Sequence, residues 1–101
     1  MSVLMTLRVA GDAASVERYA AENPDRMKAI ADDAKSRGAL SHRFCADEDG
    51  TIMVIDEWES AEAFQAFFAA HPEIGEIMAA AGVTAEPDIA FWRQLDTHDQ
   101  F

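Results

Sequence analysis

Thr51-Ile52-Met53-Val54-Ile55-Asp56-Glu57-Trp58 runs directly into Glu59-Ser60-Ala61-Glu62-Ala63-Phe64-Gln65-Ala66-Phe67. The first eight residues carry apolar side chains on both alternating faces, which predicts a strand covered on both sides for most of its length. Ser60 then offers a hydroxyl to an open helix N-terminus, with Glu62 at the favourable end of the helix dipole. Phe64, Phe67, Phe68 and His71 follow at i, i+3, i+4 and i+7, the stripe of an amphipathic helix.

Upstream, Asp47-Glu48-Asp49-Gly50 is a hairpin turn, because Asp-Gly readily supplies positive φ. Leu40 to Ala46 alternates Leu40, His42 and Phe44 against Ser41, Arg43 and Cys45, so it reads as the partner strand. Before it, Ala13 to Arg37 is helical but interrupted at Asn23-Pro24, where proline can only begin a new helix and Asn23 is its expected cap. Met27, Ile30, Ala31 and Ala34 form one stripe of the second piece, and Gly38 ends it. Val3 to Val9 is a first strand closed by Gly11-Asp12.

Downstream, Pro72 restarts the helix, whose stripe continues through Ile74, Ile77, Met78 and Ala81 until Gly82. A loop through Pro87 leads to a last strand, Ile89 to Leu95. The order is β-α-β-β-α-β, an α+β chain of the ferredoxin-like kind: a four-stranded antiparallel sheet with helices on one face. Residues 1–95 are expected to form one domain and residues 96–101 a C-terminal tail.

The chain of 101 residues is half apolar and 27% charged, a globular balance. Its formal charge of −11, from 19 acidic and 8 basic residues, argues against nucleic acid, whose binding depends on Lys and Arg displacing counterions. The single cysteine, Cys45, excludes an intrachain disulfide, and no Cys/His spacing reads as a metal site. The N-terminus has neither a basic n-region nor a long apolar core, and no apolar run approaches a membrane span. No membrane partner and a cytoplasmic location are expected.

With the helices on one side, the other side of the sheet is left apolar, because the third strand is apolar on both faces. Such a patch marks an interaction site, and a homodimer paired through that face is the expected use. Thr6, Arg8, Ser41, Arg43 and Asp56 would provide its polar fringe.

Around Val54 to Phe67 the sequence resembles the dimeric α/β-barrel superfamily, specifically its antibiotic-biosynthesis-monooxygenase-like branch, and in plan the resemblance covers about residues 3–95. It implies a dimeric α/β barrel with a pocket between sheet and helices in each subunit. It further implies a monooxygenase-like activity, needing no cofactor, on aromatic or polyketide-like compounds. The alternative is a non-catalytic dimer that binds a small hydrophobic ligand or serves as an accessory subunit. Haem-degrading relatives use an asparagine in strand one, and a tryptophan and a ligating histidine in helix two. Here strand one has no asparagine, Phe67 stands at the tryptophan position and Ile77 at the matching turn, so haem chemistry is disfavoured.

His42, on the face of Leu40 and Phe44, and His71, on the phenylalanine stripe, are the candidate catalytic residues, since imidazole exchanges protons near neutral pH. His42 can equally be a satisfied core histidine and His71 a cap. Trp58, Phe64, Phe67 and Phe68 are candidate ligand-binding walls, although large aromatics more often fill cores. Arg93 is a candidate partner for an acidic group, or an ion-pair partner of Asp56 or Glu57. Tyr19 and Cys45 have weaker cases, and His98 belongs to the tail.

Overall fold

The computed structural model describes residues 2–83 and 86–101. Its elements are β1 (Val3–Ala10), α1 (Ala13–Glu22), α2 (Pro24–Ser36), β2 (Ala39–Ala46), β3 (Thr51–Trp58), α3 (Ala61–Ala70), α4 (Glu73–Ala80) and β4 (Asp88–Arg93). Each expected helix is two helices, divided at Asn23-Pro24 and at His71-Pro72. Thr84 and Ala85, in the expected loop through Pro87, lie outside the described residues.

All strand pairs are antiparallel, in the order β2-β3-β1-β4. The two central strands are therefore distant in sequence, as two crossovers require. Pairing of Leu7 with Val54 and Ile89, and of Val54 with Phe44, sets the faces. Met5, Leu7, Val9, Ile52, Val54 and Trp58 point into one core with Phe64 and Phe67 of α3. Ile30 and Ala34 of α2 and Ile74 and Met78 of α4 pack against its edge.

The local signals act as their chemistry dictates. The Ser60 hydroxyl accepts from the Ala63 amide at 3.1 Å, and Asp12 caps α1 by accepting from the Ala14 amide. In the hairpin turn the Asp47 carboxylate accepts from the amides of Asp49 and Thr51, both at 2.9 Å, while Gly50 takes a φ of +85°. Asn23 differs from expectation. Its side chain makes no bond to α2 but donates to the Tyr19 carbonyl at 2.9 Å, closing the C-terminal end of α1 instead. Proline at the first position of α2 already removes one of the unpaired amides of that helix's N-terminus.

Asp56 was expected on the outward fringe, and the register places it on the opposite side. It pairs with His42 and Met5 and shares the core face with Ile52, Val54 and Trp58, buried to 5% exposure. The outward face carries Leu4, Thr6 and Arg8 beside Met53, Ile55 and Glu57, with Arg43 and Cys45 on one flank and Ala90 and Trp92 on the other. The last strand also ends at Arg93, leaving Leu95 exposed beyond it.

A backbone contact joins the end of β1 to the β2–β3 turn: the Gly11 amide donates to the Gly50 carbonyl at 3.0 Å. A Cβ on Gly11 would stand 2.9 Å from both Ile52 Cδ1 and Val83 Cγ2, whereas one on Gly75 in α4 would meet nothing within 4 Å. Gly11→Ala is expected to destabilise by about 1–3 kcal/mol through overpacking. Gly75→Ala is expected to stabilise by up to about 1 kcal/mol, because alanine has less backbone entropy to lose. Urea unfolding of the two variants beside the parent chain checks both signs.

Candidate functional site

The helix layer does not lie flush on the sheet. Toward β2 it leaves a cavity of ≈ 180 Å³, floored by Val54, Asp56 and Trp58 and walled by Phe64, Phe67 and Phe68 of α3. Met27, Ile30, Ala31 and Ala34 of α2 and Ile74, Ile77 and Met78 of α4 close its far side, and Leu40, His42 and Phe44 stand on the edge strand. The cavity exists where β2 carries exposed side chains, so its rim is the open edge of the sheet.

Asp56 is the polar centre of this apolar space. Residues two apart on a strand share a face, so its carboxylate lies beside Trp58, whose indole Nε1–H donates to Oδ2 at 2.9 Å. The other oxygen, Oδ1, is 2.7 Å from His42 Nδ1 across the strand pair. A carboxylate can only accept, so His42 donates from Nδ1 and its Nε2 is left as the acceptor. Among the described residues Nε2 has no hydrogen-bond partner. His42 is half exposed while Asp56 is buried, so the pair bridges solvent and cavity.

Trp58 is fully buried, with edge-on Phe64 at 5.6 Å and tilted Phe67 at 5.3 Å between ring centroids. Phe64 also stacks on Phe68 at 5.5 Å. The four candidate aromatic walls are thus one interlocked cluster, as quadrupole-matched rings prefer.

His71 lies elsewhere. It caps the end of α3 and is absent from the cavity lining. Its Nε2 is 2.6 Å from Asp33 Oδ2 on α2 and its Nδ1 2.5 Å from Glu73 Oε1 at the start of α4. Both nitrogens face carboxylates, so the ring is best held as an imidazolium, and it joins α2 to the α3–α4 junction. The Asp33 carboxylate raises the His71 pKa above its ordinary value, with Glu73 adding to it. His71 in turn lowers both acids, helped at Asp33 by Arg37, whose Nε donates at 2.8 Å. Arg93 is exposed and stands outside the cavity, and Trp92 lies on the outward face, donating to Thr6 Oγ1 at 2.8 Å. The Tyr19 hydroxyl is near Arg26, on the outside of α1 and α2.

The cavity brings together the candidates His42, Trp58, Phe64, Phe67 and Phe68, and the group between them is Asp56, which was expected on the outward fringe. The signal was present: counting back from the hairpin turn pairs Ala46 with Ile52, Phe44 with Val54 and hence His42 with Asp56.

The two-carboxylate clamp has a defined pH dependence. A raised histidine pKa contributes stability fully present below about pH 6.5 and lost as pH rises through the folded value. The lowered acids contribute stability present above about pH 4 and lost as pH falls through theirs. The advantage of the parent chain over His71→Gln in melting temperature is therefore expected to be greatest near pH 5–6 and to shrink toward pH 9. Scanning calorimetry across that range checks it; a difference independent of pH would contradict the clamp.

No protein-family model and no curated protein matches the chain in sequence. Solved structures do match in fold. A monooxygenase from the gene ActVA-Orf6 of Streptomyces coelicolor, in complex with the ligand nanaomycin D, superposes with a TM-score of 0.68 at 20% identity. The match covers 95% of this chain and 89% of that one. SnoaB, a cofactor-independent oxygenase from Streptomyces nogalater, gives 0.65 at 20% identity over 98% of both chains. Rv0793 from Mycobacterium tuberculosis gives 0.60 at 14% identity, covering 95% and 97%. The β-α-α-β-β-α-α-β chain has the ferredoxin-like fold of the antibiotic biosynthesis monooxygenases.

Proposed function

We propose that this protein is a cofactor-independent monooxygenase-like enzyme in which His42 takes a proton from a hydroxylated aromatic compound held in the sheet–helix cavity. The observation that carries this reading is the 2.7 Å contact of His42 Nδ1 with the buried carboxylate of Asp56 at the wall of an apolar cavity. A base oriented by a carboxylate keeps one nitrogen free for the substrate, and the carboxylate stabilises the imidazolium that forms. Proton loss leaves an electron-rich ring that dioxygen can oxidise. The balance is a ring methylene, in the keto tautomer, plus O₂ giving a carbonyl plus water. One oxygen atom stays in the product and the other leaves with both hydrogens. Likeness in fold to a monooxygenase and to a cofactor-independent oxygenase supports the reading.

Oxygen uptake over a panel of naphthols, quinols and anthrones tests it. His42→Gln is expected to lower kcat/KM by about 10²–10⁴. Asp56→Asn should lower kcat with little change in KM, since it turns the ring rather than removing a contact. Equal uptake by the parent chain and His42→Gln overturns the proposal. The second reading, a binding protein without chemistry, rests on the apolar walls, and it predicts retained ligand with no uptake by any variant.

The assembly belongs to the same reading. The outward face places Leu4, Met53, Ile55 and Ala90 beside Trp92, which is 55% exposed, with Arg8 and Arg43 at its edges. A second copy seated on this face would bury each of those side chains, at roughly 1.5–3 kcal/mol for each large one fully covered. Doubling a net charge of −11 opposes association, so the dimer should tighten with salt. Among the described residues no helix is long and apolar enough to cross a membrane. The one free cysteine suits the reducing cytoplasm. Sedimentation at moderate salt should give a dimer for the parent chain and a monomer for Ile55→Glu, and a monomeric parent at micromolar concentration would exclude this pairing.

A further inference from the structure

The geometry points to a substrate class narrower than aromatic compounds in general: we propose that the cavity takes an uncharged, hydroxylated aromatic of one or two fused rings. Three- and four-ring compounds and carboxylated ones are excluded. The inference rests on the cavity just assigned, and its size limit and charge limit have separate physical origins.

The size limit comes from volume and from walls that do not yield. A cavity of about 150 Å³ lined by aliphatic and aromatic side chains holds a single benzene ring. At ≈ 180 Å³ this one has room for a substituted ring or a fused pair. Expansion toward α3 would break the cluster in which Trp58, Phe64 and Phe68 hold one another in place. The open rim at β2 leads past His42 into solvent, so a third ring there would leave the apolar walls, and expansion on the remaining side would spread α2 from α4. Those helices are tied by the Asp33–His71–Glu73 clamp and by the Arg26–Glu76 ion pair at 4.0 Å.

The charge limit comes from Asp56. Its carboxylate is already buried at the cavity floor, and a second anion beside it would meet like-charge repulsion in a low-dielectric space. The net charge of −11 opposes entry of anions in the first place. Lys35 at the rim does not reverse this, being solvent-exposed and shared with Asp32 at 4.0 Å. A neutral hydroxyl has no such conflict. It donates to His42 Nε2, and the charge pair then created is Asp56 with the protonated ring.

Isothermal titration of the full chain at moderate salt and pH 7 tests both limits with three probes. These are 1-naphthol (two rings, neutral), 1-naphthoate (the same rings, anionic) and anthrone (three rings, neutral). The naphthol is expected to bind about tenfold or more tighter than either of the others. Anthrone binding as tightly overturns the size limit, naphthoate binding as tightly overturns the charge limit, and no binding by any probe overturns both. Met78→Ala removes part of the α4 wall and should improve anthrone binding about tenfold while leaving naphthoate weak. If anthrone stays weak in a folded Met78→Ala protein, the wall does not set the limit. Naphthol bound without oxygen uptake would sink the catalytic reading and leave this one standing. Efficient oxygenation of anthrone alone would do the reverse.

Discussion

Everything around the cavity depends on one buried carboxylate. Asp56 sits at 5% exposure, where an ionised group without partners would be untenable. Two donors satisfy it: the indole of Trp58 along its own strand and the imidazole of His42 across the hairpin. The first bond lets the largest side chain of the core be wholly buried with its N–H paired. The second ties the edge strand β2, exposed for nearly all its length, to the core by a side chain as well as by its ladder. Packing, edge and candidate chemistry thus share a single acceptor.

The cavity itself follows from how the helices are divided. Proline at Pro24 and Pro72 splits each crossover into two short helices, because it can neither donate to the preceding turn nor fit its backbone there. Short segments can tilt independently, so α3 packs its phenylalanines on Trp58 while α2 and α4 stand off toward β2. The clamp at His71 then fixes how far they stand off. Its ion pairs occupy a partly exposed junction rather than the core, so they position helices while apolar burial supplies most of the stability.

The element order, both helix breaks, the hairpin turn and the aromatic stripe were legible because each rests on local chemistry within a few residues. Asn23 was misread for a local reason too: two helix ends meet there, and its amide serves the first rather than the second. Asp56 was misplaced because Met53, Ile55, Ile52 and Val54 are apolar on both faces of β3. Alternation alone then gives no sign of which face is the core. His42 and His71 looked alike as histidines on apolar stripes. They part only in three dimensions, one beside a single buried acid at the cavity and the other between two carboxylates on different helices.

By itself the sequence determined the secondary structure, the antiparallel hairpin and an apolar outward face, since period, turn residues and proline act over short distances. The tertiary structure alone decided which side of β3 meets the helices, and with it that Asp56, Trp58 and His42 face the cavity rather than the outward side of the sheet. That decision is cooperative. Strand faces are chosen by the summed packing of the helices on the sheet, and no residue of β3 carries that information alone.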